Sequence, residues 1–241
     1  MKISGSVALV TGANRGLGAV FARALLERGA RTVYAAARNP ATITGPGLTP
    51  IALDVTDPVS VVAAAERYAD VDLLINNAGV SIGGSDPEAA RAEMEVNYFG
   101  PLAMSRAFAP VLAANGGGAL VNVLSVLSWV TFPRPKTYAA SKAAAWSLTN
   151  ALRLELREQG THVLGVHAGY IDTDMAAGIT GPKISPEDVV VQALDGLEAG
   201  AYEVLADDVS RNVRAGLSGG LELLYPELVT PPQDAPARPG R

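Results

Sequence analysis

The stretch Val7-Ala8-Leu9-Val10-Thr11-Gly12-Ala13-Asn14-Arg15-Gly16-Leu17-Gly18 joins an unbroken apolar run to a glycine-rich turn. Val20, Phe21, Ala24, Leu25 and Leu26 follow at helical spacing, up to Gly29. The whole reads as strand, tight turn, helix. A short apolar run without alternation suits a strand buried on both faces of a parallel sheet. Further strands are expected at 32–35, 50–53, 72–75, 119–124, 161–167 and 201–205. Helical patterns lie between them at about 59–69, 87–114, 138–158 and 186–197, with Asp57 as an N-cap and Pro58 in the first helical position. Strands alternating with helices imply an α/β fold, a doubly wound parallel sheet of about seven strands with helices on both faces. One domain is expected over residues 1–229, and the Pro-rich stretch 230–241 reads as a flexible tail.

Composition narrows the function. The chain has 241 residues and a formal net charge of −5, without a basic run, so no electrostatic footprint for nucleic acid is present. It contains no cysteine, which excludes disulfides, iron–sulfur clusters and thiolate zinc sites. No metal site is expected: the pair Asp172 and Asp174 lacks histidine partners and reads as turn or cap groups. No apolar run approaches the roughly 20 residues that span a bilayer, and the N-terminus lacks the pattern of a signal peptide. The reading is a soluble, cytoplasmic protein with no nucleic-acid or membrane partner.

In doubly wound sheets, ligands sit beyond the carboxyl ends of the strands. The unusual residues of this chain fall there: the glycine turn, Arg38, Asp54, residues 76–79, Ser125 and Gly169. Gly12, Gly16 and Gly18 let backbone approach a phosphate, whose charge meets the free N–H groups of the helix start. An acid that binds adenosine ribose hydroxyls is usual about 20 residues past such glycines. Here that place reads Ala35-Ala36-Ala37-Arg38, and Arg15 adds a second cation inside the turn. Two guanidiniums suit the 2′-phosphate of NADP, so NADP(H) is the expected cofactor.

The second decisive stretch runs Ser125-Val-Leu-Ser128-Trp129-Val130-Thr-Phe132-Pro-Arg-Pro-Lys-Thr-Tyr138-Ala-Ala-Ser-Lys142. If Tyr138 opens a helix, Lys142 lies one turn on, with its ammonium beside the phenol. Thr11-Gly12-x-x-x-Gly16-x-Gly18, Asn76-Asn77-Ala78-Gly79, Asn97, Ser125 and Tyr138-x-x-x-Lys142 together resemble the short-chain dehydrogenases/reductases over nearly the full length. The resemblance implies a Rossmann-like fold and reversible hydride transfer between a nicotinamide and a carbonyl/alcohol pair. It makes Asn97, Ser125, Tyr138 and Lys142 the catalytic residues. The cofactor would be held by Gly12, Asn14, Arg15, Gly16, Leu17, Gly18, Arg38, Asp54, Val55, Asn77, Ala78, Gly79, Tyr138, Lys142, Gly169, Ile171 and Thr173. Asp54 and Val55 would meet the adenine and Thr173 the nicotinamide carboxamide.

Tyr138 would give its proton to the substrate oxygen, which Ser125 orients, while Asn97 positions a water that reconnects Lys142 with solvent. Lys142 is expected to lower the phenol's pKa, since one charge ~4 Å away supplies about 4 kcal/mol at an effective dielectric of ~20. Ser128 competes with Ser125 for the serine's role. One departure from the family pattern is the absence of Pro-Gly after the sixth strand, where this chain has His167-Ala168-Gly169-Tyr170. Without proline's fixed φ, that turn is expected to be less rigid. The substrate pocket is read from Val80, Ser128, Trp129, Val130, Phe132, Tyr170 and Met175, an apolar wall for a small hydrophobic ketone, aldehyde or alcohol. The long alanine-rich helices suggest a homodimer or homotetramer. Non-redox chemistry in the same pocket and cofactor sensing without turnover are the rival readings.

Overall fold

The computed structural model describes residues 1–83 and 86–228; the expected tail at 230–241 lies outside the described residues. Seven parallel strands form one sheet in the order β3-β2-β1-β4-β5-β6-β7. They are β1 Val7–Thr11, β2 Thr32–Ala37, β3 Thr49–Ala52, β4 Leu73–Asn76, β5 Ala119–Val123, β6 His162–His167 and β7 Glu203–Leu205. Chain order reverses between β1 and β4, which opens a crevice at their carboxyl ends. This is the Rossmann-like doubly wound arrangement anticipated above.

Alternation along β1 explains the two layers. Ala8 and Val10 face a core shared with Phe21, Leu25, Val190 and Leu194, from α1 Gly16–Glu27 and α6 Pro186–Glu198. Val7 and Leu9 face the opposite core, with Met104, Phe108, Leu112 and Leu152. The helices on that side are α2 Pro58–Arg67, α3 Pro87–Met94, α4 Gly100–Ala114 and α5 Lys136–Glu155.

Two helix boundaries differ instructively from the expectation. The pattern at 87–114 is split by a π-helical turn at Glu95–Phe99, where the Gly100 N–H bonds the Glu95 carbonyl five residues back. Pro101 supplies a reason: it has no N–H to return to the Asn97 carbonyl in α-helical register. Helix α5 begins at Lys136, two residues before Tyr138, so the tyrosine lies within the first turn. The sequence reading also missed α7 Asp208–Gly216, capped by the Asp207 side chain, which accepts from the Ser210 N–H. Among the described residues, no helix is long and apolar enough to cross a membrane. No group of three or more His, Asp or Glu among them could hold a metal ion.

Candidate active site

The glycine turn sits at the carboxyl end of β1, beside the reversal of strand order. Gly12 and Gly16 adopt φ of +64° and +52°, a region costly for other residues. Gly18 is confined differently: a Cβ there would lie 2.2 Å from the Gly12 carbonyl oxygen, so no side chain fits. Helix α1 starts at Gly16 with Arg15 in the N-cap position and no side-chain cap. By contrast, α2, α3, α6 and α7 are capped by Asp57, Asp86, Ser185 and Asp207. The first-turn N–H groups of α1 therefore have no side-chain acceptor, as an anion site requires.

Thr11 and Asn77 lock this turn to the end of β4. The Thr11 hydroxyl accepts from the Asn77 and Ala78 N–H groups at 3.0 Å each and donates to the Ile75 carbonyl. The Asn77 amide returns bonds to the Thr11 and Gly12 carbonyls at 2.9 and 3.2 Å. Thr11 had no assigned role in the sequence reading, although its place at the strand end was the signal. Asn14, Arg15 and Arg38 are exposed, whereas Leu17 is buried. Arg15 reaches across to Asp174 at 3.6 Å. Arg38 follows β2, and its charge helps to hold the Asp54 carboxyl below its ordinary range, after the larger effect of hydrogen bonds from Thr56. Val55 packs under Gly100, where a Cβ would meet its Cγ2 at 3.0 Å.

At the other end of the crevice, Ser125 follows β5 in extended conformation and caps a single 3₁₀ turn, Val126–Ser128. Its hydroxyl accepts from the Leu127 N–H at 3.1 Å and donates to the Ala168 carbonyl at 3.5 Å, and it lies near enough to Tyr138 to draw the phenol's pKa down. Ser128 is buried, and its hydroxyl accepts from the Ser125 N–H at 3.3 Å. Of the two competing serines, Ser125 is the one whose side chain acts on the tyrosine.

Lys142 is buried, donates from Nζ to the Val123 carbonyl at 2.9 Å, and stands 5.8 Å from the centre of the Tyr138 ring. Burial lowers its pKa to about 8. The phenol behaves opposite to the expectation. Burial drives the Tyr138 pKa up to about 12, against the opposing Ser125 hydrogen bond and with help from the Glu93 charge. The reason is that both groups are withdrawn from water, which disfavours the charged form of each. At neutral pH the pair is a protonated phenol beside an ammonium.

Asn97 sits in the π turn with both amide N–H groups engaged, to the Val80 carbonyl at 2.8 Å and the Ser141 hydroxyl at 2.9 Å. Its Oδ1 accepts from the Val80 N–H at 2.9 Å. The side chain thus clamps the β4 loop to α5, and Gly79 lies between it and Lys142. One helical turn earlier, buried Glu93 holds the same loop by accepting from the Ile82 N–H at 2.8 Å. Sequence reasoning missed Glu93; its spacing of four from Asn97 on one helix face was the available signal. A further unanticipated ladder crosses the sheet. Asn76 donates to Asn122, and Asn122 to Thr149, at 2.9 Å each.

The turn after β6 is braced despite the missing proline. Val126 N–H bonds the Ala168 carbonyl at 2.9 Å, and Gly169 N–H bonds the Asp207 carboxylate at 2.6 Å. Ile171 pairs with Ile184 in an isolated parallel bridge, and Thr173 faces Gly16, whose Cβ would lie 3.4 Å from Thr173 Cγ2. Of the expected pocket wall, Phe132, Tyr170 and Met175 are exposed and Val80 is half-buried. Ser128, Trp129 and Val130 are packed instead. The Trp129 ring stacks on His167 at 3.8 Å and meets Trp146 edge-on, so its apolar surface is used by the fold.

His167 is fully buried, and burial pushes its pKa down to about 4. Between the ordinary histidine value and that one, the unfolded chain binds a proton that the folded chain refuses. Stability is complete above about pH 6.5 and falls toward pH 4 by about 3 kcal/mol from this group. Urea unfolding at pH 7, 5.5 and 4 should show His167→Asn losing less than the wild type by about that amount. Equal losses would contradict a histidine buried in its neutral form.

The profile of the family described as short chain dehydrogenase matches residues 6–183. Among curated proteins, the chain is 32% identical over 197 residues to dehydrogenase/reductase SDR family member 7B of Bos taurus. That match covers 72% of this chain and 60% of the relative's length. A sorbitol dehydrogenase of Cereibacter sphaeroides is 34% identical over 193 residues, covering 74% of this chain and 75% of that protein. Among solved structures, a short chain dehydrogenase from Burkholderia cenocepacia in complex with NADP is 46% identical, with a TM-score of 0.90, covering 96% of this chain and 100% of that one. The fold agrees with those matches, and the chain belongs to the short-chain dehydrogenase family of oxidoreductases.

Proposed function

We propose that the protein is an NADP(H)-dependent carbonyl reductase or alcohol dehydrogenase acting on a small hydrophobic ketone or aldehyde and its alcohol. The observation that carries this reading is the Tyr138 ring 5.8 Å from the buried Lys142 ammonium one helical turn on, with Ser125 set at the end of β5 against the same helix. The residues also fit a nicotinamide dinucleotide. The uncapped start of α1 suits the pyrophosphate, Arg15 and Arg38 the 2′-phosphate, and Asp54 with Val55 the adenine. Asn14, Leu17 and residues 77–79 would line the remaining length, and Ile171 and Thr173 the nicotinamide end. The bound cofactor would supply the hydride; the chain must manage the proton and the oxygen.

In reduction, Tyr138 donates its proton to the carbonyl oxygen as charge develops there, and Ser125 hydrogen-bonds and orients that oxygen. Lys142 keeps two donors beyond its bond to Val123, one for the tyrosine and one for a ribose hydroxyl. Asn97 frames the site through its amide. Its main-chain carbonyl, which Pro101 cannot meet in α-helical register, is the place for a relay water. Exposed Phe132, Tyr170 and Met175 support an apolar substrate.

The test is NADPH consumption, followed by absorbance, with a panel of hydrophobic ketones and aldehydes against polar sugars. Turnover confined to the apolar members is expected, and no carbonyl-dependent consumption would end the proposal.

A homo-oligomer belongs to the same reading. Phe99 on the turn before α4 and Leu154 on α5 are exposed, and Val55, Pro58, Phe99, Leu102 and Ala103 line a shallow apolar groove. Light scattering should give a multiple of the 24.8 kDa chain mass, and Phe99→Asp should lower it. A monomeric wild type would contradict this. Cytoplasmic residence completes the proposal.

A further inference from the structure

We propose that His167 is a positioning residue for the catalytic serine: its Nδ1–H holds the Ser125 carbonyl and so fixes the turn that presents the Ser125 hydroxyl to Tyr138. The histidine ends β6, and Ser125 lies just past the end of β5, its neighbour in the sheet. Nδ1 stands 3.1 Å from the Ser125 carbonyl oxygen. A carbonyl only accepts, so the proton resides on Nδ1. Two main-chain bonds flank this contact, from Leu124 N–H to the Val166 carbonyl at 2.8 Å and from Val126 N–H to the Ala168 carbonyl at 2.9 Å. The Ser125 carbonyl also accepts from the Ser128 N–H at 3.0 Å within its own turn, and the imidazole is what ties that turn to the end of β6.

The ring has little freedom to do anything else. Trp129, four residues beyond Ser125, covers one face at 3.8 Å with planes 17° apart. The charged groups around it come from three elements: Glu203 on β7, Arg214 on α7 and Arg153 on α5. Glu203 Oε1 is 3.8 Å from Nε2, beyond hydrogen-bond reach, and Glu203 is bonded instead by Arg214 and the Trp146 indole. Nε2 has no hydrogen-bond partner. A side chain kept for packing would not leave a buried nitrogen unpaired, because that costs stability. The donor on the other nitrogen is what the position retains. It also does what the absent proline of the following turn cannot, which is to fix the chain beside Ser125.

This rests on the reading that Ser125 and Tyr138 handle the substrate oxygen, and two measurements keep the claims apart. The chain has two histidines, and the other, His162, bonds the Ala201 carbonyl through Nε2 at 2.8 Å. The two rings are therefore opposite tautomers. Long-range proton–nitrogen correlation spectra of protein labelled with ¹⁵N-histidine, assigned with His162→Gln, should show His167 neutral with Nδ1 protonated at pH 7. Protonation at Nε2, or at both nitrogens, overturns the proposal whatever the enzyme's activity.

The second measurement is kinetic. In Asn the side-chain nitrogen is one bond from Cγ, as Nδ1 is, so His167→Asn can keep the donor, whereas His167→Leu fills space without it. With NADPH and a ketone turned over by the wild type, His167→Leu should lower kcat about 30-fold, within the range of a misplaced catalytic group. Its NADPH dissociation constant should stay within about 2-fold, and His167→Asn should recover most of the rate. A leucine variant within about 3-fold of wild type, or an asparagine variant no better than leucine, overturns it. A wild type inactive on every carbonyl counts against the reaction instead, and the tautomer then decides the contact.

Discussion

Tyr138→Phe should lower carbonyl reduction about 10³–10⁴-fold while leaving NADPH affinity within about 2-fold, at the upper end of what a positioned proton donor supplies. The substitution removes one oxygen from a ring that otherwise packs unchanged at the start of α5. Two facts make the hydroxyl irreplaceable. Burial keeps it protonated, and the other groups near it serve different ends. Ser125 accepts from Leu127, and Lys142 is fixed on the Val123 carbonyl. Fluorescence titration with NADPH separates binding from chemistry. A phenylalanine variant within about tenfold of wild type would remove Tyr138 as the proton donor, and with it the proposed mechanism.

The second large effect concerns cofactor choice. The double variant Arg15→Ala/Arg38→Ala should lower the ratio of kcat/KM for NADPH over NADH about 10²–10³-fold, mostly through the KM for NADPH. Each arginine offers a charge-assisted contact of about 1.5–3 kcal/mol to a 2′-phosphate, and β2 ends in alanines with no acid to bind the bare ribose. Arg15 pairs with Asp174, but both side chains are exposed, at 73% and 81%, so that ion pair holds the arginine weakly. Asp174→Asn is accordingly expected to leave the ratio within about 2-fold. Steady-state kinetics with both cofactors decides it. A wild type that uses NADH as well as NADPH, or a double variant that keeps its preference, would exclude the arginine pair as the selector.

Much of this architecture is legible because it is encoded over short distances. The unbroken apolar runs, the glycines between strand and helix, and Pro58 behind Asp57 each need only their neighbours to act. Tyr138 and Lys142 are four residues apart on one helix, so their approach follows from helical pitch alone. Spacing to Tyr138 favours Ser125 over Ser128, and the fold adds what spacing does not show, that the Ser128 hydroxyl is taken up by the Ser125 N–H. Trp129 shows the same kind of limit. Its apolar character suited a pocket wall, but β6 brings His167 against it.

By itself the sequence determined the doubly wound sheet and the family, and it set out in chain order the glycine turn, the arginine that follows β2, and Ser125, Tyr138 and Lys142. Only the tertiary structure decided the protonation of that set. The phenol is pushed up and the ammonium down because both are withdrawn from water, and withdrawal depends on what distant segments pack around them. It also decided that Asp207 holds the Gly169 turn and that His167 holds Ser125. Those partners are 38 and 42 residues apart, and no local spacing connects them. Parallel strands align their ends regardless of chain distance, so contacts at the carboxyl edge are set by strand order, which no local pattern in the chain spells out.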